Sequence, residues 1–251
     1  MNYLNKGNDG FASLRNSKFV DKSLLIAEVN SAMMTENRFL CVTRARRFGK
    51  SVAVKMLNAY YDKSCDSQNL FQGLAISKDE DFEKHLNRYP VLYLDMTDFV
   101  TKYGNDELLV EHIKRDICEE LLELYKGVVM KPNDDLMDLL VSIVNQTGEK
   151  FVCLIDEWDA LCREGQEKQM DEYVNLLRRL FKGSMSEYVF ACSYMTGILP
   201  IKRYNTQSAL NNFDEYTMLS PAQLAPYFGF TEHEVEQLCT EVGMDAYKMM
   251  V

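Results

Sequence analysis

Three short stretches carry residue types that could work on a phosphate group. The first, TRARRFGKSVAVKML, runs from Thr43 to Leu57 and ends its loop in Gly49-Lys50-Ser51. An apolar lead-in, RFLCVT, reads as a strand, and the residues after the loop read as a helix, so backbone N–H groups and the positive helix end would converge at one spot. There Lys50 would meet β- and γ-phosphates as a point charge, and Ser51 would offer its hydroxyl to Mg²⁺. The tripeptide alone is weak evidence, because short motifs recur by chance; its strand–loop–helix context is what gives it weight. The second stretch, FVCLIDEWD, ends an apolar run in Asp156-Glu157. Asp156 would hold Mg²⁺, directly or through water, and Glu157 would orient or deprotonate the attacking water. The alternative is that the two acids cap the next helix. The third, YVFACSYMTG, ends near Thr196-Gly197. Thr196 either hydrogen-bonds that water and senses the γ-phosphate or simply closes a strand, and the sequence does not choose.

Such groups act together only if the chain brings them to one edge. Five apolar runs read as strands: Phe39–Thr43, Val91–Asp95, Phe151–Asp156, Tyr188–Met195 and, least distinctly, Glu215–Leu219. Helical stripes separate most of them: Ala53, Met56, Leu57, Tyr60 and Tyr61; Leu109, Ile113, Ile117, Leu121 and Leu124; Leu136, Leu139, Leu140, Ile143 and Val144; Met170, Tyr173, Val174, Leu177 and Phe181. Alternating strands and helices predict an α/β fold with a parallel sheet and helices on both faces, and parallel strands end at a shared edge. After the last strand, Ser220-Pro221 with Gln223, and Thr231 with Glu234, read as two helix starts. The chain then stops at DAYKMMV with little core of its own, so it is expected to be a trimmed piece of a longer protein.

Length and composition set bounds. The chain has 251 residues, 47% of them hydrophobic and 26% charged, with net charge -10. That suits one α/β domain plus a small appendage and argues against nucleic-acid coating as the main role, although a local basic patch would remain possible. The start has no apolar signal core and no run approaches a membrane span. Seven cysteines, at 41, 65, 118, 153, 162, 192 and 239, form no CxxC pair. Buried reduced thiols in a cytoplasmic protein are expected.

Taken together, these motifs resemble the AAA-ATPase-like family of bacterial proteins, whose members often carry a C-terminal PD-(D/E)xK nuclease-like domain. KFVDKSLLI is similar to the family's YVDKT stretch, TRARRFGKS to its RPRRFGKS loop with Ala45 in place of proline, and LIDEWDAL to its LIDEYD strand with Trp158 in place of tyrosine. TGILPI, NNFDEYT and GFTEHEV resemble its later blocks. The resemblance implies a P-loop NTPase of AAA type, with strand order 5-1-4-3-2 and ATP with Mg²⁺ as ligands. It implies that Arg44, where such loops usually begin with glycine, is a family feature. Residues 1–219, opening with a lead-in over 1–36, would form the ATPase domain, and 220–251 the start of a helical lid. A nuclease-like domain would lie outside this chain; no PD…(D/E)xK set occurs within it.

On this reading Arg46, Arg47, Phe48, Gly49, Lys50, Ser51 and Val52 bind nucleotide, Ser51 and Asp156 hold the metal, and Glu157 and Thr196 are catalytic. Arg46 or Arg47 would contact phosphate bidentately; the alternative pairs them with Asp156, Glu157 or Asp159. Phe19–Asp21 would flank adenine, or Asp21 merely caps a helix. Arg178-Arg179 read as a solvated helix face rather than an arginine finger, and Asn211-Asn212 as a turn or a site contact. His85, His112 and His233 read as surface residues, and Trp158 as core. The expected function is slow Mg²⁺-dependent ATP hydrolysis, completed by a neighbouring subunit or partner. Two rivals stand beside it: a non-hydrolysing nucleotide switch or scaffold, and a nucleic-acid module working through Arg44, Arg46 and Arg47.

Overall fold

The computed structural model describes residues 2–104, 106–163, 167–201 and 210–244; the DAYKMMV tail lies outside them. Helices α1 (Asp9–Arg15) and α2 (Leu25–Ala32) lead into β1 (Phe39–Thr43), and α3 (Lys50–Tyr61) leaves the next loop. Short helices α4 (Gln68–Phe71) and α5 (Phe82–His85) precede β2 (Val91–Asp95). Next come α6 (Met96–Tyr103), α7 (Leu109–Leu124), α8 (Leu136–Thr147) and β3 (Phe151–Asp156). Then α9 (Ala160–Arg163), α10 (Glu167–Phe181) and α11 (Ser184–Val189) lead to β4 (Phe190–Gly197). The short β5 (Asp214–Tyr216), a 3₁₀ turn (Ala222–Tyr227) and α12 (Glu232–Val242) complete the described chain.

The five strands pair in the order β2-β3-β4-β1-β5, every pairing parallel. This is the order that the family resemblance implies, read from the other edge. Strand alternation sorts the core into two layers. Leu40, Val42, Val91, Tyr93, Val152, Leu154 and Tyr194 face one side, where they pack with α1, α2 and the apolar stripe of α3. Phe39, Cys41, Leu92, Leu94, Cys153, Ile155 and Met195 face the other, under α6, α7, α8 and α10. Burial on both faces explains why the strands read as unbroken apolar runs.

The stripes of α3, α8 and α10 are buried throughout. In α7 Leu109, Ile113, Ile117 and Leu121 are buried, but Leu124, at the helix end, is exposed. Strand β4 begins two residues later than the apolar run suggests, because Tyr188 belongs to α11. Strand β5 covers only Asp214–Tyr216, and Met218 and Leu219 are exposed beyond it. Helix α12 opens with the expected capping box of Thr231 and Glu234. The Ser220-Pro221 start is a 3₁₀ turn without a side-chain cap, since Pro226 inside it has no N–H for an α-helical ladder.

Among the described residues no disulfide joins the cysteines; Cys41, Cys153, Cys192 and Cys239 are buried, and the other three are half-buried. His85 is buried rather than on the surface, its Nδ1 2.7 Å from Tyr89 Oη. Among the described residues no helix is long and apolar enough to cross a membrane.

Candidate functional site

Strand registers carry the candidate residues to one sheet edge. Thr43 pairs with Gly197 and Asp95 with Asp156, while Ile155 pairs with Met195, so β1, β2, β3 and β4 all end together. The loop 44–49 leaves that edge and enters α3 through Gly49, at φ 84°. Lacking the usual first glycine, the loop takes its other left-handed residue at Arg47, φ 69°. Lys50 opens the helix, yet its side chain is only 4% exposed: it folds back so that Nζ donates to the Ala45 carbonyl at 3.1 Å. Nζ also lies 3.8 Å from Glu157 Oε1. Ser51 and Val52 are half-buried, as is Phe48, and Gly49 is exposed.

Asp156 is buried at the end of β3. Its Oδ1 accepts from Thr196 Oγ1 at 2.5 Å and from the Glu157 amide at 3.0 Å. Among the described residues Oδ2 has no hydrogen bond, which leaves one oxygen for a cation. Glu157 sits at φ 53°. A non-glycine residue there costs on the order of 1–3 kcal/mol and persists only where its surroundings force it. Here the Asp156 cap and a bond from the Trp158 amide to the Thr196 carbonyl, 2.9 Å, hold the turn on both sides. Burial pushes the Glu157 carboxyl up, Arg163 and Lys50 oppose that, and Asp156 and Asp159 add to it.

The three loop arginines divide. Arg44 is buried: Nη1 donates to the Thr43 and Tyr216 carbonyls at 2.9 and 2.7 Å, and the guanidinium lies 5.2 Å from the Phe228 ring centroid. It is therefore unavailable as a contact for nucleic-acid phosphates. Arg46 and Arg47 are exposed and, among the described residues, form no ion pair with Asp156, Glu157 or Asp159. Two of those acids, Glu157 and Asp159, pair with a cation that the motif reading passed over, Arg163. The signal was present as Asp159-x-x-x-Arg163, one helical turn apart. Asp95 was likewise read only as a strand end. Its register with Asp156 places two carboxylates side by side on adjacent strands, and burial together with Asp156 raises the Asp95 carboxyl.

A cavity of about 260 Å³ adjoins the loop. Phe19 and Val20 of the lead-in, Phe48 and Val52 of the loop region, and Tyr227 and Phe230 of the C-terminal segment contribute to its walls. The C-terminal segment is fastened there: the Gly229 amide donates to the Phe48 carbonyl at 3.1 Å, and Lys22 Nζ donates to the Pro226 carbonyl and pairs with Glu234, both at 2.6 Å. Asp21 does not line this cavity. It accepts from the Ser23 amide ahead of α2 and from the Ala75 amide.

The remaining candidates lie elsewhere. Arg179 pairs with Asp135, which caps α8, and with Asp138 in its first turn, and Arg178 bonds Asn175. Asn212 donates to the Phe181 carbonyl, and Trp158 is wholly buried in the core. Among curated proteins none matches the chain. A family model described as a predicted AAA-ATPase, AAA-ATPase-like, matches residues 6–206.

Proposed function

The chain belongs to the AAA-ATPase-like family, and we propose that it is an ATP-binding module that hydrolyses its nucleotide slowly with Mg²⁺. The observation that carries this reading is the buried Lys50 ammonium. Among the described residues its polar partners are one loop carbonyl, at hydrogen-bond distance, and one carboxylate 3.8 Å away, so it is a buried cation at a helix N-terminus. A polyphosphate is the ligand such a cradle suits.

The donor set also fits a hard divalent cation. Ser51 supplies a hydroxyl and Asp156 its unbonded Oδ2, with Asp95 beside it; oxygen donors of this kind suit Mg²⁺. When bound, the ion would neutralise charge on the phosphates. The chain's own groups do the rest. Lys50 exchanges the Ala45 carbonyl for phosphate oxygens. Thr196 keeps Asp156 oriented through the buried hydroxyl bond. Glu157 Oε1 takes a proton from water as the water oxygen bonds to the γ-phosphorus and the bond from that phosphorus to the β,γ-bridging oxygen breaks, releasing ADP and phosphate. Arg46 and Arg47, exposed on the loop, add charge at the phosphates.

The apolar cavity is read as the seat of the base, and 220–251 as the start of a lid closing over it, the remainder being the ATPase domain. Slow turnover follows if a neighbouring subunit or partner must supply a further cation, which can contribute about 10³–10⁵ in rate. The test is phosphate release from Mg·ATP by the chain and by Glu157→Gln. The reading expects measurable release that falls by ~10²-fold or more in the variant. Equal rates would remove Glu157 from its role, and ATP-dependent thermal stabilisation without phosphate release would leave a non-hydrolysing switch.

A further inference from the structure

Glu157 is gripped from both sides. Oε1 faces Lys50 Nζ at 3.8 Å, while Oε2 accepts from Arg163 Nη2. Arg163 closes the one-turn helix α9, and its Nε lies 3.3 Å from Asp159 Oδ2. Asp159 is fully buried, and its carboxylate in turn accepts from the Ile198 and Leu199 amides, 3.2 and 2.9 Å from Oδ2, immediately beyond β4. A continuous chain of contacts thus runs from the loop lysine through Glu157, Arg163 and Asp159 to the backbone just past Thr196.

Charge decides what this chain of contacts does. Two other carboxylates, Asp156 and Asp159, act on Glu157 as like charges, and like charges repel. A lone carboxylate there would swing toward solvent. Phosphate oxygens bound at the Lys50 ammonium would compete with Glu157 for that charge. Among the described residues Arg163 is then the remaining cation paired with Glu157, and it occupies Oε2, leaving Oε1 to the water.

We propose that Arg163 is a positioning residue for Glu157: it fixes Oε2, presents Oε1 to the water, and anchors that geometry to the strand end through Asp159. This rests on the reading of Glu157 as the group that takes the water's proton. It adds a residue to the site whose effect is on the rate of the chemical step rather than on nucleotide affinity.

Two measurements test it. Steady-state ATP turnover and equilibrium ATP binding are compared for the unaltered chain, Arg163→Ala and Arg163→Lys. Misplacing a reacting group by about 1 Å can cost ~10²-fold, so Arg163→Ala is expected to lower kcat roughly 10- to 100-fold with affinity within about twofold. Arg163→Lys, which can grip one carboxylate, recovers part of the loss. An unchanged or raised kcat, or a loss confined to affinity, overturns the proposal. The second measurement needs no turnover: melting temperatures of the nucleotide-free chain, Arg163→Ala, Glu157→Gln and the double variant. Contacting residues couple, so the double variant is expected to melt clearly above the sum of the two single losses. Strict additivity overturns the contact itself. If the unaltered chain releases no phosphate, the hydrolytic reading fails separately, and the melting cycle still decides whether Arg163 holds Glu157.

Discussion

Gly197→Ala perturbs the site without replacing any charged residue. Gly197 ends β4 beside Thr43 and has an ordinary backbone conformation, so the substitution introduces no φ strain. Space is the obstacle: an added Cβ would meet Trp158 Cδ1, would come within 2.6 Å of Trp158 Nε1 and within 2.7 Å of Asp159 Oδ1. Real carbon atoms do not approach so closely. Both the fully buried indole and the Asp159 carboxylate, which the Ile198 and Leu199 amides hold, must give way. Overpacking a well-filled core costs about 1–3 kcal/mol, and a clash with both a ring and a buried carboxylate belongs at the upper end. For a domain of this size each kcal/mol lowers Tm by about 2–4 °C, so a fall of roughly 6–12 °C is expected. Trp158 is the chain's one tryptophan, so the fluorescence of the native protein reports its displacement directly. The emission of the variant should shift to longer wavelength before unfolding begins. A Tm within about 1 °C of the unaltered chain, with unmoved emission, would refute the packing argument.

Two further outcomes come from buried polar contacts. Thr196→Val removes the 2.5 Å hydroxyl bond to Asp156 while keeping the side chain's shape. Hydrogen bonds to charged groups contribute about 1.5–3 kcal/mol, so chemical denaturation should show a loss of that order, with a larger proportional fall in Mg²⁺-dependent ATP affinity than in Mg²⁺-free affinity. Asp116 supplies a pH dependence remote from the site. Burial would raise its carboxyl, but hydrogen bonds from Lys102, Tyr103 and Arg115 outweigh burial and hold it well below the usual carboxylate range. A depressed native value stabilises the fold above the unfolded carboxylate value, near pH ~4, and that contribution is lost as pH falls below it. Asp116→Asn should therefore flatten the acid limb of a Tm-against-pH curve and change little in how Tm varies above pH ~5.

How far the sequence could be read depended on whether a feature was local. The central strands were legible because they are buried on both faces, and the α3, α8 and α10 stripes because each faces a single layer. Strand β5 was poorly legible: Asp214, Glu215 and Tyr216 are only half-buried, so an edge strand leaves no apolar run. The loop, the Asp156-Glu157 pair and Thr196 were legible as motifs, since each lies at a strand end. Their partners were not. Asp95 gains meaning only from its register with Asp156, and Arg163 only because α9 is a single turn that brings it back over Glu157. Arg44 counted as a contact only in the rival nucleic-acid reading. Its burial depends on β1 lying between β4 and β5, where the Tyr216 carbonyl can reach it.

The central claim is that the Lys50 ammonium is the anchor for a nucleotide's phosphates. Titration calorimetry of ATP with Mg²⁺ into the chain and into Lys50→Ala, with folding of both checked by circular dichroism, tests it most directly. Loss of charge-assisted bonds of about 1.5–3 kcal/mol predicts an affinity lower by roughly 10- to 100-fold. A folded Lys50→Ala chain that binds ATP as tightly as the unaltered one would contradict the account.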